Sequence, residues 1–260
     1  MRKRQGKKHR VLLVDGDIVL YQQAFINQKK IDWGEGVVSE YTTPEKATSG
    51  INDYIFWLRK LLHADQALVM VTGGRNWRKE LFPDYKANRK DTAKPLLYHH
   101  CVEALNAHQD VISEARLEAD DLMGIYATDK KLCKGSDKII CSLDKDMRTI
   151  PAQIFNPHVG EVMRYSPAQA EQWFYQQVLQ GDPIDGYYGV PKIGKVKAEK
   201  IVLAALADGT PMWDAVCHTY LSAGLTTVEA LRNARLAYIL RAGDYNFKTQ
   251  EVRMWTPTKS

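Results

Sequence analysis

The chain has 260 residues, 45% apolar and 26% charged, enough to bury a sizeable core as one domain with an appendage. No apolar run approaches the ~18 residues of a membrane span, and VLLV behind the basic start MRKRQGKKHR is too short for a secretory leader, so the chain is expected in the cytosol. Its four scattered cysteines, Cys101, Cys133, Cys141 and Cys217, form no CxxC pair, which argues against a zinc or disulfide framework.

Residues 1–10 contain six Lys or Arg and read as a flexible basic tail. VLLV (11–14) is a short apolar run ending at Asp15, the pattern of a buried strand. A polar stretch with Gly34 and Gly36 follows and reads as a loop. Over 45–63, Ile51, Ile55, Leu58 and Leu62 recur at helical spacing, giving one apolar stripe. ALVMVT (67–72) is a second strand, closed by Gly73 and Gly74, and a basic segment occupies 75–94. LLYHHCVEAL starts a helix behind Pro95, with His99 and His100 on its surface rather than on a metal. DVISEA (110–115) is a third strand, EADDLMGIYATDKK a helix, and KIICSLD (138–144) a fourth strand.

This alternation predicts an α/β fold, a mostly parallel twisted sheet with helices on both faces, over 11–165. In such sheets ligands bind beyond the carboxyl ends of the strands, where Asp15 and Asp144 stand. From 166 to 260 the periodicity turns helical, in AEQWFYQQVL, KVKAEKIVLAAL, MWDAVCHTYL and VEALRNARLAYILR.

The net charge of +5 is modest, but its signs are segregated. Acidic residues recur as DGD, EADD, LDKD and GDPID. In a helix Glu118 and Asp121 share one face with Asp120 beside them, although acidic residues in a first turn also serve as an ordinary helix cap. Asp144 and Asp146 follow one strand as Asp15 and Asp17 follow another, while Asp182 and Asp185 lie in GDPID, where an Asp-Pro turn is the plain alternative. Two like charges about 4 Å apart repel by about 4 kcal/mol at an effective dielectric near 20, so such a cluster calls for cations or protons. Oxygen ligands without His or Cys favour Mg²⁺ or Mn²⁺ over zinc, and two such ions can activate water and stabilise a leaving oxygen. No Walker loop, serine nucleophile motif or HExxH competes.

These four motifs in this order, with YKANR between the first two, resemble the 5′-nuclease superfamily of flap endonucleases and polymerase I 5′-nuclease domains. The resemblance runs from Val11 to about Trp255 and is strongest to stand-alone bacteriophage 5′→3′ exonucleases, in NWRKELFPDYKANRK, GDPIDGYYGVPKIG and ILRAGDYNF. It implies that Asp15, Glu118, Asp120, Asp121, Asp144 and Asp146 are direct or supporting ligands of two or more Mg²⁺ or Mn²⁺ ions, extended by Asp182 and Asp185. Asp17 either joins them or fixes the turn. It further implies an arch over the active site around 76–108, with Lys86 neutralising the scissile phosphate, Arg89 positioning it and Tyr85 stacking near the substrate end. Arg78 is expected as a further phosphate contact, whereas Trp77 and Phe82 are expected to pack inward.

GVPKIGKVKAEKIV is similar to the family's helix–hairpin–helix element, placed near 181–204. There Gly189 and Gly194 allow close backbone approach and Lys192, Lys195 and Lys197 grip duplex phosphates without reading sequence. A potassium ion at this hairpin is implied too. The family usually has glycine where Lys192 stands, so an altered turn is expected. It also places an aspartate after the second strand, where this chain has Thr72, Gly73 and Gly74. Water, Thr72 or Asp17 is expected to fill that gap.

The expectation is a monomeric, metal-dependent 5′→3′ exonuclease with some 5′-flap cleavage, acting on DNA and, by resemblance, on RNA–DNA hybrids at primers, in the host cytoplasm if phage-encoded. Its rivals are a structured-RNA nuclease of PIN-like fold and a DNA-binding relative without catalysis.

Overall fold

The computed structural model describes residues 8–89, 93–108 and 110–258, so most of the basic tail lies outside the described residues. The first part runs β1 (Arg10–Asp15), α1 (Gly16–Ile26), β2 (Gln28–Asp32), β3 (Val38–Thr42), α2 (Pro44–Leu61), β4 (Gln66–Val71), α3 (Trp77–Leu81) and α4 (Tyr98–Asn106). It continues with β5 (Val111–Ser113), α5 (Ala119–Thr128), β6 (Asp137–Cys141), β7 (Gln153–Phe155) and β8 (Val162–Arg164). Six strands form one sheet in the order β5-β4-β1-β6-β7-β8. All pairings are parallel except that of β8 with β7. Arg10, counted with the tail in sequence, opens β1 and pairs with Asp137.

The uninterrupted apolar runs of β1, β4 and β6 reflect their central position, covered on both faces. Leu12, Val14, Val69, Val71, Ile139 and Cys141 pack under α1, α2 and α4. Their alternates Val11, Leu13, Leu68, Met70 and Ile140 pack under α5 and the segment around Ile239 and Leu240. Burying one such leucine contributes about 2 kcal/mol, and this two-sided core fixes where the strand ends lie.

Two elements differ from expectation. The stretch read as a loop is an antiparallel hairpin of β2 and β3. Its residues from Ile31 to Val37 are exposed, so no burial alternation betrays it. Helix α1 follows β1 directly because Asp15 caps it, its carboxylate accepting from Ile18 N at 3.2 Å.

The helical part comprises α6 (Pro167–Gln180), α7 (Lys195–Asp208), α8 (Met212–Ser222) and α9 (Thr227–Ala237), packed around Phe174, Val178, Val202, Val216 and Tyr220. Helix α9 stops at Ala237, earlier than the periodicity of VEALRNARLAYILR predicts, because Tyr238 turns extended. That break frees backbone carbonyls for a partner from the first part of the chain, as described next.

Candidate metal and nucleic-acid site

A cavity of about 750 Å³ opens at the carboxyl ends of the central strands. Asp15, Asp17, Asp120, Asp144, Asp146, Asp182 and Asp185 line it, with Lys86 and Arg89. Adjacent strands β1 and β6 place Asp15 and Asp144 side by side. Ser142 ties them together, its hydroxyl donating to Asp15 Oδ2 at 2.7 Å and accepting from Asp144 N at 3.0 Å. Asp144 Oδ1 accepts from Asp146 N at 2.8 Å, and Asp146 Oδ2 accepts from Gln177 Nε2 on α6 at 2.6 Å. Asp182 makes the expected Asp-Pro turn, accepting from Ile184 N at 2.9 Å, and still faces the cavity. Lys145 Nζ lies 3.5 Å from it.

Charge compensation differs around the rim. Burial and the neighbouring Asp17 push the Asp15 carboxyl up to about 7. Burial and Asp144 push Asp146 up to about 7 as well, and burial with Asp144 and Asp15 raises Asp120. Burial would raise Glu118 too, but Lys86 and Arg78 outweigh it and hold this carboxyl down at about 2. Lys86 Nζ lies 2.5 Å from Glu118 Oε1 and 3.6 Å from Asp185 Oδ2, and Arg89 pairs with Asp185. Lys86 sits at φ 55°, an unusual backbone state for a lysine, held by its N–H donating to Asp185 O at 2.8 Å.

Three expected roles change. Arg78 is 2% exposed and cannot reach substrate. Its guanidinium donates to both carboxylate oxygens of Asp121 at 2.7 and 2.8 Å, to Glu118 at 2.8 Å, and to the carbonyls of Leu236 and Tyr238 at 3.0 and 2.7 Å. It pins the first part of the chain to the frayed end of α9. Asp121 is wholly buried, accepts also from Trp77 Nε1 and Leu240 N, and does not line the cavity, so it anchors Arg78 and leaves only the supporting role, not the direct one, open to it. Tyr85 is buried, its ring stacked on Tyr187 and its hydroxyl donating to Glu118 and Asp185 at 3.1 and 3.0 Å. It orients carboxylates and offers no face to a base. Trp77 packs inward, beneath the Arg78 guanidinium.

Asp17 is held at the gap after β4. Its carboxylate accepts from Thr72 N at 3.2 Å and from Thr72 Oγ1 at 2.5 Å, and Thr72 Oγ1 accepts from Ala119 N at 3.1 Å. One short chain of bonds thus joins the ends of β1 and β4 to the start of α5.

In the GDPID–GVPKIG region, Gly189 passes so close to the end of α6 that a Cβ would stand 2.2 Å from Leu179 O. Lys192 takes the left-handed state, φ 62°, a backbone more usual for glycine. Gly194 caps α7 with open space around it, and Lys192, Lys195 and Lys197 are exposed there.

The family described as "5′-3′ exonuclease, N-terminal resolvase-like domain" matches residues 10–176. The exodeoxyribonuclease of Enterobacteria phage T3 is 30% identical, aligned over 95% of this chain and 93% of its own. The exonuclease of Escherichia phage T7 is 29% identical over the same shares. A crystal structure of the bacteriophage T5 D15 flap endonuclease, a pseudo-enzyme-product complex with DNA and metal ions, superposes with a TM-score of 0.63 at 18% identity, covering 88% of this chain and 89% of the T5 protein. That structural likeness speaks for the fold, and the sequence matches speak for descent: the chain belongs to the 5′-3′ exonuclease family.

Proposed function

We propose that the chain hydrolyses DNA phosphodiesters from 5′ ends and at 5′ flaps, with divalent metal ions as cofactors. The observation that carries this reading is the convergence of seven carboxylates, remote in sequence, on one cavity beside Lys86 and Arg89. The family membership and the metal and DNA in the T5 complex support it.

Among the described residues no three carboxylate, histidine or cysteine side chains are grouped to hold a metal ion as they stand. The donor set nonetheless fits a hard divalent cation. It is oxygen-only, and burial together with mutual repulsion raises Asp15, Asp120 and Asp146, a cost that a bound cation would relieve. Asp15, Asp120, Asp144 and Asp146 would hold it after side-chain rotation, with Asp182 and Asp185 extending the cluster. When bound, Mg²⁺ or Mn²⁺ supplies a more acidic water and charge to offset that developing on the departing oxygen.

The chain's own residues do the rest. Burial works against the Lys86 ammonium, but Glu118 and Asp185 outweigh it and keep it charged, so it can neutralise the scissile phosphate. Arg89, exposed at the rim, orients the same group. Lys192, Lys195 and Lys197 hold the duplex backbone by charge alone. Action on RNA–DNA hybrids, a potassium ion at the 189–194 turn and a monomeric state belong to the same proposal.

Digestion of 5′-labelled duplex, 5′-flap DNA and an RNA hairpin, with and without Mg²⁺, tests it. Both DNAs should be cut only with metal, Asp144→Asn should abolish cutting, and Lys86→Ala should slow it by about 10²–10³. Preferential cutting of the hairpin would mark a structured-RNA nuclease. DNA binding without cleavage would mark a relative that kept the fold and lost the chemistry.

A further inference from the structure

Helix α6 packs against the turn that carries Asp146, and its end delivers Asp182 to the same rim. Phe174, Val178 and Leu179 bury its apolar side in the helical core with Val202, Val216 and Tyr220. Gln177 lies outside that cluster, in the last turn, where its carbonyl accepts from the capping Gly181 N–H. Its side chain turns to Asp146 instead.

The amide nitrogen donates to Asp146 Oδ2 at 2.6 Å, while Gln177 Oε1 is buried and has no hydrogen-bond partner among the described residues. A glutamine kept to tie the fold together would engage both ends, because an unpaired buried acceptor costs stability. The turn does not depend on this bond either. Asp146 N donates to Asp144 Oδ1 at 2.8 Å, and Thr149 Oγ1 donates to Asp146 O at 2.8 Å, so the backbone is held from within. What Gln177 fixes is the carboxylate. It takes one oxygen, and Asp146 Oδ1 accepts no hydrogen bond among the described residues, so that oxygen is available to a cation in the cavity that Asp146 lines.

We propose that Gln177 is a positioning residue, through which α6 presets Asp146 to bind a divalent metal ion. The inference rests on the metal-dependent reading above and gives the helical part of the chain a share in it. A carboxylate that holds a cation is ionised and only accepts, so its partner must offer a donor, as the amide nitrogen does. A side chain already anchored at one oxygen loses less freedom when a cation takes the other. Hydrogen-bonded partners of metal ligands typically change metal affinity by about 10–100-fold.

Mn²⁺ titrations of the whole chain, followed by the electron paramagnetic resonance signal of the free ion, measure binding apart from cleavage. Gln177→Leu and Gln177→Met, which lack the donor, should each bind Mn²⁺ about 10–100-fold more weakly than the wild type. Both should melt with the wild type in EDTA. At saturating Mn²⁺ their KM for 5′-flap DNA should stay near the wild-type value, whereas the Mn²⁺ needed for half-maximal cutting should rise. Asp146→Asn combined with Gln177→Leu should bind Mn²⁺ no more weakly than Asp146→Asn alone, because Gln177 acts only through Asp146. Unchanged Mn²⁺ affinity in both single variants, a further loss in the double variant, or a lower melting temperature in EDTA overturns the proposal and leaves the nuclease reading standing. A wild-type chain that binds no Mn²⁺ overturns both. A chain that shows the expected losses of Mn²⁺ but never cuts DNA keeps this role for Gln177 and loses the nuclease reading.

Discussion

Glu118 and Asp15 are both buried carboxylates at one site, 6% and 5% exposed, yet they sit about five pKa units apart, at about 2 and about 7. Around Glu118 the chain supplies its own counter-charges, Lys86 and Arg78, and a phenol from Tyr85. Around Asp15 the neighbours are Asp17, Asp144 and a serine hydroxyl. Burial is equal, so partners decide. One flank is internally neutralised and serves as a rigid wall. The other stores repulsion that an external cation would remove, which is why the proposed metal site lies on that side.

The largest expected effect comes from breaking the neutralised flank. Arg78→Met leaves Glu118 and Asp121 buried without their shared cation, and losing one partner of a buried ion pair costs about 3–5 kcal/mol. Urea unfolding should show that loss. A midpoint equal to the wild type's would mean that this wall does not depend on Arg78.

The next effect concerns the repelling flank. A ligand that binds only the folded state at about 100 times its Kd stabilises by about 2.7 kcal/mol. Saturating Mg²⁺ should therefore raise the melting temperature of the wild type clearly and that of Asp144→Asn little. An equal rise in both would place the ion away from Asp144.

A smaller effect separates the flanks by pH. Glu118 lies below its ordinary value of 4.5, so its stabilisation is present above that pH and fades as pH falls towards about 2. Asp146 lies above its ordinary 3.8, so the folded state prefers it protonated. Metal-free stability then falls as pH rises from about 4 to about 7 and stays low beyond. Asp146→Asn removes that cost while an amide oxygen can still accept from Gln177. The variant should match the wild type near pH 4 and exceed it by at least about 1 kcal/mol at pH 8 without metal, one pKa unit corresponding to about 1.4 kcal/mol. Thermal melts in EDTA at both values measure this. A variant less stable than the wild type at pH 8 would show that Asp146 is not a source of repulsion.

Sequence disclosed the repelling flank well and the neutralised one poorly, for a physical reason. Asp15 and Asp144 announce themselves because they end continuous apolar runs, and buried parallel strands fix where such ends must lie. Residues 75–79 show charge but not partners. Arg78 looks like its neighbours Arg75 and Lys79, and only the fold reveals that it is consumed by Glu118, Asp121 and two carbonyls some 158 and 160 residues away. Tyr85 misleads likewise, since a tyrosine beside lysines suits stacking until Tyr187 and two carboxylates are found around it. The β2–β3 hairpin is hidden because its residues from Ile31 to Val37 are exposed and give no burial period, and α1 because its capping residue, Asp15, also reads as a strand-end ligand.

Lys192 gives the smallest effect and the sharpest contrast between holding DNA and holding a fold. Its left-handed backbone costs roughly 1 kcal/mol for a residue with a Cβ, offset in part by the extra chain entropy that glycine loses on folding. Lys192→Gly should therefore leave thermal stability unchanged or raise it slightly. If the exposed ammonium contacts duplex phosphate, the same change should lower the salt slope of duplex binding by about 0.9 while cleavage at saturating DNA stays near the wild-type rate. An unaltered slope would remove Lys192 from the grip and leave its strained backbone without a binding role to account for it. Loss of both slope and stability would show that the lysine side chain, rather than its charge, shapes the turn.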